Sequence, residues 1–237
     1  MRAFILGVAF MAMALPLSAR QLDDKVADRL YESSKVLEEL VKAPDGGIPK
    51  DLMKKAECIA VIPSVKKAAI GFGGNYGRGV VACRKDGGKG PFGPPSMLAL
   101  SGGSIGIQLG GQSTDVVMLF MTPDSMKHLL KDKVTLGGDA SAAAGPKGRE
   151  ASAQTNATMR AEILTYGRGR GLFAGISLKG AVLKPDGDAN DALYNKKVDA
   201  KELLLEGKGT VPVAAQKFLA TLTKMANPNI SPRFVIV

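Results

Sequence analysis

The sequence predicts an α+β fold: a single domain whose glycine-rich, largely antiparallel β-sheet is flanked by an N-terminal amphipathic helix and a C-terminal helix. Three observations predict it. Between positions 58 and 183 the chain is a succession of short apolar, β-branched runs separated by glycine and turn residues. Glycine occurs 29 times while aromatics make up 5%, a composition suited to many short strands and close backbone packing. On either side of that region the apolar residues recur at helical spacing, and helices segregated from a sheet define this class. No fixed-period repeat or linker composition divides the 237 residues, which suffice for one domain with a core.

The elements follow in order. Met1 and Arg2 give a positive start, Ala3 to Leu15 is apolar, and Pro16 to Ala19 is a small-residue exit. This is the layout of a secretory signal peptide over 1–19, cleaved after Ala19. The apolar run is shorter than the roughly 20 residues a membrane span requires. Residues 20–237 are then expected as an exported domain, periplasmic or secreted. Leu22, Val26, Leu30, Leu37, Leu40 and Val41 form one stripe of a helix over 22–43. Gly46 and Gly47 end it, and Pro49 opens a short helix to Lys55. Strands are expected at 58–62, 68–73, 79–83, 97–103, 104–110 and 115–121, with 85–95 a loop. Thr122-Pro123-Asp124 reads as the start of a helix to Leu130. Strands at 134–138, 162–167 and 172–183 follow, then helices near Asp191–Tyr194 and over 214–223.

The two cysteines, Cys58 and Cys83, each lie in a strand-like run. In an oxidising compartment they are natural disulfide partners, the alternative being two separate buried thiols. A metal site on them lacks further ligands, because His128 is the only histidine. The net charge of +10 favours acidic partners: anionic lipid headgroups, polyanionic glycans or nucleic acid. Export and the lack of interleaved aromatics argue against nucleic acid.

The stretches AECIAVIPSVKKAAIGFGGNYGRGVVACR, SGGSIGIQLGGQSTDVVMLFM, LGGDASAAAGP and EILTYGRGRGLFAGISLKG occur in the order seen in the SYLF domain. Over roughly 25–225 the chain resembles that family, which includes bacterial exported proteins, yeast actin-binding proteins and animal SH3- and FYVE-linked relatives. The resemblance implies a lipid-binding module, with phosphoinositides and phosphatidic acid as the eukaryotic ligands. This chain departs from a basic membrane-inserting helix: between Asp23 and Lys42 it carries four basic and six acidic residues.

The run YGRGRGLFAGISLKG (166–180) carries the sharpest candidate. Gly169, Gly171 and Ala174 fit a relaxed dinucleotide fingerprint, but an alternating run with Gly175 and Gly180 follows where a helix should receive the pyrophosphate. No GxxxxGK[ST] loop occurs, so no nucleotide is expected. The stretch reads as a glycine-loosened strand. Two readings of its arginines stay open. Arg168 and Arg170 sit on a merely solvated face, or they share a face with Arg78, Lys66 and Lys67 as a patch for headgroup phosphate.

Other chemistry is thin. Asp186-x-Asp188-x-Asn190 begins like a calcium loop, but its sixth position is Asp191 and its twelfth Lys197, so a turn and helix start is the better reading. Ser113, Thr114 and Asp115, at the end of GGQSTD (110–115), lack a nucleophile elbow and read as a satisfied turn, and His128 lies on a segment expected to be surface-exposed. The sequence therefore points to a non-catalytic module without a cofactor that docks on an anionic phospholipid surface. The alternative is an envelope scaffold that binds another protein.

Overall fold

The computed structural model describes residues 17–43, 47–68, 74–88, 90–102, 113–146, 160–169 and 172–226, and side chains within them except at 17–23, 67, 68, 87 and 126. The signal-like stretch 1–16, the strand expected at 104–110, most of that at 68–73, and Arg170 lie outside the described residues.

Helix α1 spans Leu17–Lys42. Val26, Leu30, Leu37 and Leu40 of the expected stripe are buried, each such burial being worth about 1.5–3 kcal/mol. Val36 joins them on one flank, whereas Val41, on the other flank, is exposed. Helix α2 (Lys50–Lys55) leads into β1 (Cys58–Ala68) and β2 (Gly74–Cys83). A one-turn helix α3 (Lys85–Gly88) stands inside the expected loop, followed by β3 (Ser96–Gly102), β4 (Thr114–Phe120) and α4 (Pro123–His128). Strands β5 (Val134–Thr135), β6 (Ala142–Ala144), β7 (Ile163–Gly169), β8 (Leu172–Gly175) and β9 (Ala181–Pro185) come next. Helices α5 (Gly187–Tyr194), α6 (Ala200–Leu204) and α7 (Val213–Ala226) complete the described chain.

The nine strands form one sheet in the order β5-β9-β3-β2-β1-β4-β7-β6, with β8 also paired to β7. Every pairing is antiparallel except β6 with β7. One face carries Ile59, Val61, Val80, Val117, Leu119 and Tyr166, packed beneath α1, α2, α5 and α7. The other carries Ala60, Ile62, Val81, Leu98, Val116 and Met118, and it is closed by Leu136, Ile176 and Leu183 from both ends of the strand order. The sheet thus curls round a second core. Burial on both faces explains why the central strands read as continuous apolar runs instead of alternating ones.

Two expectations change. The run 172–183 is two strands, because Gly180 takes a left-handed φ of 80° and Ala181 turns back to donate to the Leu178 carbonyl. β6 and α6 went unread in the sequence. The β6 residues Ala142–Ala144 have little β propensity and form a strand only through β7. The cap of α6 was visible in Asp199, which accepts the Lys201 N–H at 2.7 Å.

Cys58 and Cys83 face each other in the β1–β2 register and form a disulfide, with Cα atoms 4.0 Å apart. Both are buried in the second core. The bond closes a sequence separation of 25, for which the chain-entropy account gives about 3 kcal/mol. Denatured, unreduced protein should titrate no free thiol, and Cys58→Ala with Cys83→Ala should lower the urea-unfolding free energy by about 3 kcal/mol. Two reactive thiols in the denatured protein would refute the bond.

Candidate functional site: a clamped bulge and a basic sheet face

The central strand β1 is interrupted at Pro63 and Ser64, where its registers with both β2 and β4 shift. Proline is tolerated at a bulge, where no ladder donor is required of it. Ser64 adopts a left-handed φ of 52°, unusual for a residue with a Cβ. Glycine makes room for the bulge on the neighbouring strand: a Cβ on Gly79 would fall 2.2 Å from the Val61 oxygen.

The Ser64 N–H donates to Asp115 Oδ1 at 2.8 Å. Arg168 stands opposite Asp115 on β7, and its Nε donates to Asp115 Oδ2 at 2.7 Å. Glu39 of α1 reaches the same guanidinium from above, and the Phe173 ring lies 5.9 Å from it. Burial pushes the Asp115 carboxyl upward, with the Ser64 N–H opposing and Glu32 reinforcing, and burial pushes Arg168 downward. Each charge is therefore costly without the other. Beside the pair opens a polar pocket of about 370 Å³ edged by Glu32, Lys35, Ser64 and Ser113.

Across the bulge lies a different environment. Arg78 on β2 is three strands from Arg168, about 14 Å at the usual strand spacing. Its side chain is 47% exposed, with Nη1 3.7 Å from Asp186, which also pairs with Arg29 of α1 at 3.0 Å. Its Nε donates to the Tyr76 hydroxyl, which holds the guanidinium in its charged form. Lys66 stands opposite Tyr76 on β1 and is exposed. On the far side Arg78 faces Ala99, which faces Lys184 of β9. Leu183 enters the second core, so Lys184 points to the same side as Arg78 and is exposed. Lys66, Tyr76, Arg78 and Lys184 thus share an uncovered area over β1, β2, β3 and β9.

Of the residues singled out in the sequence, the structure brings Lys66 and Arg78 together. Arg168 lies on the same side of the sheet but is not on a solvated face: Asp115 and Glu39 hold it. Lys67 pairs with Asn75 through the backbone, and its side chain, like Arg170, lies outside the described residues. Arg29 and Lys184 were missed. Their positions depend on α1 crossing the sheet and on β9 pairing with β3, and neither is local. Gly167 of the YGRGR stretch serves close packing, since a Cβ there would fall 2.8 Å from the Ile176 side chain, and a Cβ on Gly175 of β8 would fall 2.1 Å from the Gly145 oxygen.

The remaining candidates dissolve. Asp186 pairs with Arg29, and Asn190, buried in α5, accepts the Met97 N–H at 2.7 Å, so the calcium-loop-like residues serve separate structural partners. His128 is partly buried beside Glu162, with Nε2 3.8 Å from Oε1, whereas an open surface was expected. Asp115 lies within β4, not in a turn. Among the described residues no group of three or more His, Cys, Asp or Glu could hold a metal, and no helix is long and apolar enough to cross a membrane.

A family model described as Ysc84, Las17-binding protein actin regulator, matches residues 101–225. LAS seventeen-binding protein 3 of Saccharomyces cerevisiae is 34% identical over 204 residues, covering 82% of this chain and 43% of that protein. Protein YSC84 of the same yeast is 33% identical over 204 residues, covering 82% and 42%. SH3 domain-containing YSC84-like protein 1 of Homo sapiens is 30% identical over 191 residues, covering 78% and 54%. The chain spans about half the length of the curated relatives it matches, or slightly less.

Asp115→Ala leaves a half-buried guanidinium and the Ser64 N–H without their acceptor, and should lower unfolding free energy by about 3 kcal/mol. Asp115→Asn keeps an acceptor for Ser64 and should cost less. Urea denaturation of the two variants decides it; an alanine variant within about 0.5 kcal/mol of the parent would show that the clamp carries no stability.

Proposed function

Because the chain belongs to the Ysc84 family, the SYLF group its motifs resemble, we propose that it is a non-catalytic binding module of the cell envelope. It docks on anionic phospholipid through the sheet face bearing Lys66, Tyr76, Arg78 and Lys184. The observation that carries this reading is the gathering of three exposed cations from separate strands on one uncovered area of the helix-side face. The carboxylate at its rim, Asp186, is shared between Arg29 and Arg78. Tyr76, 42% exposed, adds an amphipathic ring of the kind that rests at a membrane interface. The signal-like start of the sequence supports an envelope location.

A second reading is favoured by the names: the family model and one of the relatives are called for binding Las17. On that reading the same face meets an acidic protein surface, and the module is a scaffold.

Each lysine near an anionic surface contributes about 1 kcal/mol, screened within roughly 8 Å at physiological salt. Lys66→Gln with Lys184→Gln should reduce partitioning onto vesicles containing phosphatidylglycerol about thirtyfold without changing thermal stability. Lys196→Gln with Lys224→Gln makes the same charge change on the helical layer and should cost far less. Equal losses would mean that only net charge matters. No preference of the parent protein for anionic over zwitterionic vesicles would sink lipid docking and leave the scaffold.

A further inference from the structure

We infer that Glu39 is an intramolecular competitor for Arg168: α1 supplies a carboxylate where a phosphate oxygen of an anionic membrane surface would otherwise bind. The inference rests on the docking reading above and adds a regulated part to the same sheet face. Arg168 has two acidic neighbours of different kinds. Asp115 is almost fully buried, is fixed by the Ser64 N–H, and holds the Nε side of the guanidinium. Glu39 is half-exposed, sits on the last turn of α1 and faces the Nη1 side. A carboxylate at that end of a helix opposes the helix dipole, so its pairing with Arg168 is offset by an unfavourable position. The buried partner orients the arginine; the exposed one can be exchanged. The pocket beside it supplies what a phosphate group would use once Glu39 leaves: the freed guanidinium edge, the Ser64 and Ser113 hydroxyls, and the Lys35 ammonium, which an exposed i,i+3 pair with Glu32 at 3.0 Å holds at the rim. An arginine held on one edge by a buried acid and covered on the other by a half-exposed one is arranged for exchange between internal and external anions.

Glu39→Gln tests this against Glu38→Gln. Glu38 is the neighbouring residue, carries the same charge, and pairs with Lys217 of α7 at 3.2 Å, away from the pocket. Binding is measured to phosphatidylcholine vesicles with and without phosphatidylglycerol, and free inorganic phosphate is added as a competitor. The expected result is that Glu39→Gln binds anionic vesicles about fivefold more tightly than Glu38→Gln, one basic residue's worth of attraction released. The gain should disappear when Arg168→Gln is combined with Glu39→Gln. If that double variant does not fold, the comparison of the two glutamine variants decides alone. Loss of the gain on adding inorganic phosphate would assign the pocket to phosphate in general; persistence would assign it to the lipid surface. Equal binding by the two glutamine variants, with the parent still preferring anionic vesicles, overturns the competitor role and spares the docking reading. No anionic preference in any variant overturns both.

Discussion

The fold depends on what happens at Ser64. β1 is the central strand, paired along its length to β2 and β4, yet it must bend for the sheet to close round its second core. The bend is made by a bulge that places a residue with a Cβ in left-handed backbone and frees its N–H from the ladder. Ser64 itself is exposed, but Asp115 accepts its freed N–H in a part-buried hydrogen bond. A buried carboxylate is itself expensive, and Arg168 neutralises it. Each polar group in the series is present because the one before it was left incomplete, and the series ends at the surface under α1.

That chain of compensation divides the cations of the sheet into two populations. Arg168 is committed to the interior, and Arg29 joins α1 to Asp186 at the start of α5. These pairs position a net-acidic helix across a basic sheet, so the attraction that seats α1 is drawn from the same charges an anionic partner would use. Lys66 and Lys184 are exposed and pair with no carboxylate among the described residues.

The sequence made the strand-rich middle legible because both cores demand long apolar runs, and it made the disulfide legible because the two cysteines sat in such runs. Glycines of the GRG stretches read as packing residues, and at Gly79 and Gly167 the structure shows why: a Cβ would meet the Val61 oxygen at the first and the Ile176 side chain at the second. What could not be read was which charges meet. Asp115 looked like part of a polar turn because its partners are 51 and 53 positions away along the chain. Lys184 was not singled out because only the β3–β9 pairing brings it beside Arg78. Apolar periodicity is a local signal; charge complementarity across a curled sheet depends on strand order.

The kind of cation left uncommitted bears on what the face can recognise. An arginine presents a planar fork that grips a phosphate bidentately, whereas a lysine is a hydrated point charge on a flexible stem. The fold has used Arg168 and Arg29 for internal carboxylates and lets Arg78 share Asp186, while Lys66 and Lys184 are exposed with no carboxylate partner among the described residues. A face of free lysines around a tyrosine reads charge density, not the geometry of one headgroup. On the docking reading, geometric selectivity can come only from an arginine released from its carboxylate. The one whose outer partner is half-exposed is Arg168, because Asp186 is nearly buried between its two arginines. Selectivity and the seating of α1 therefore draw on the same guanidinium, and a headgroup that gains one must loosen the other.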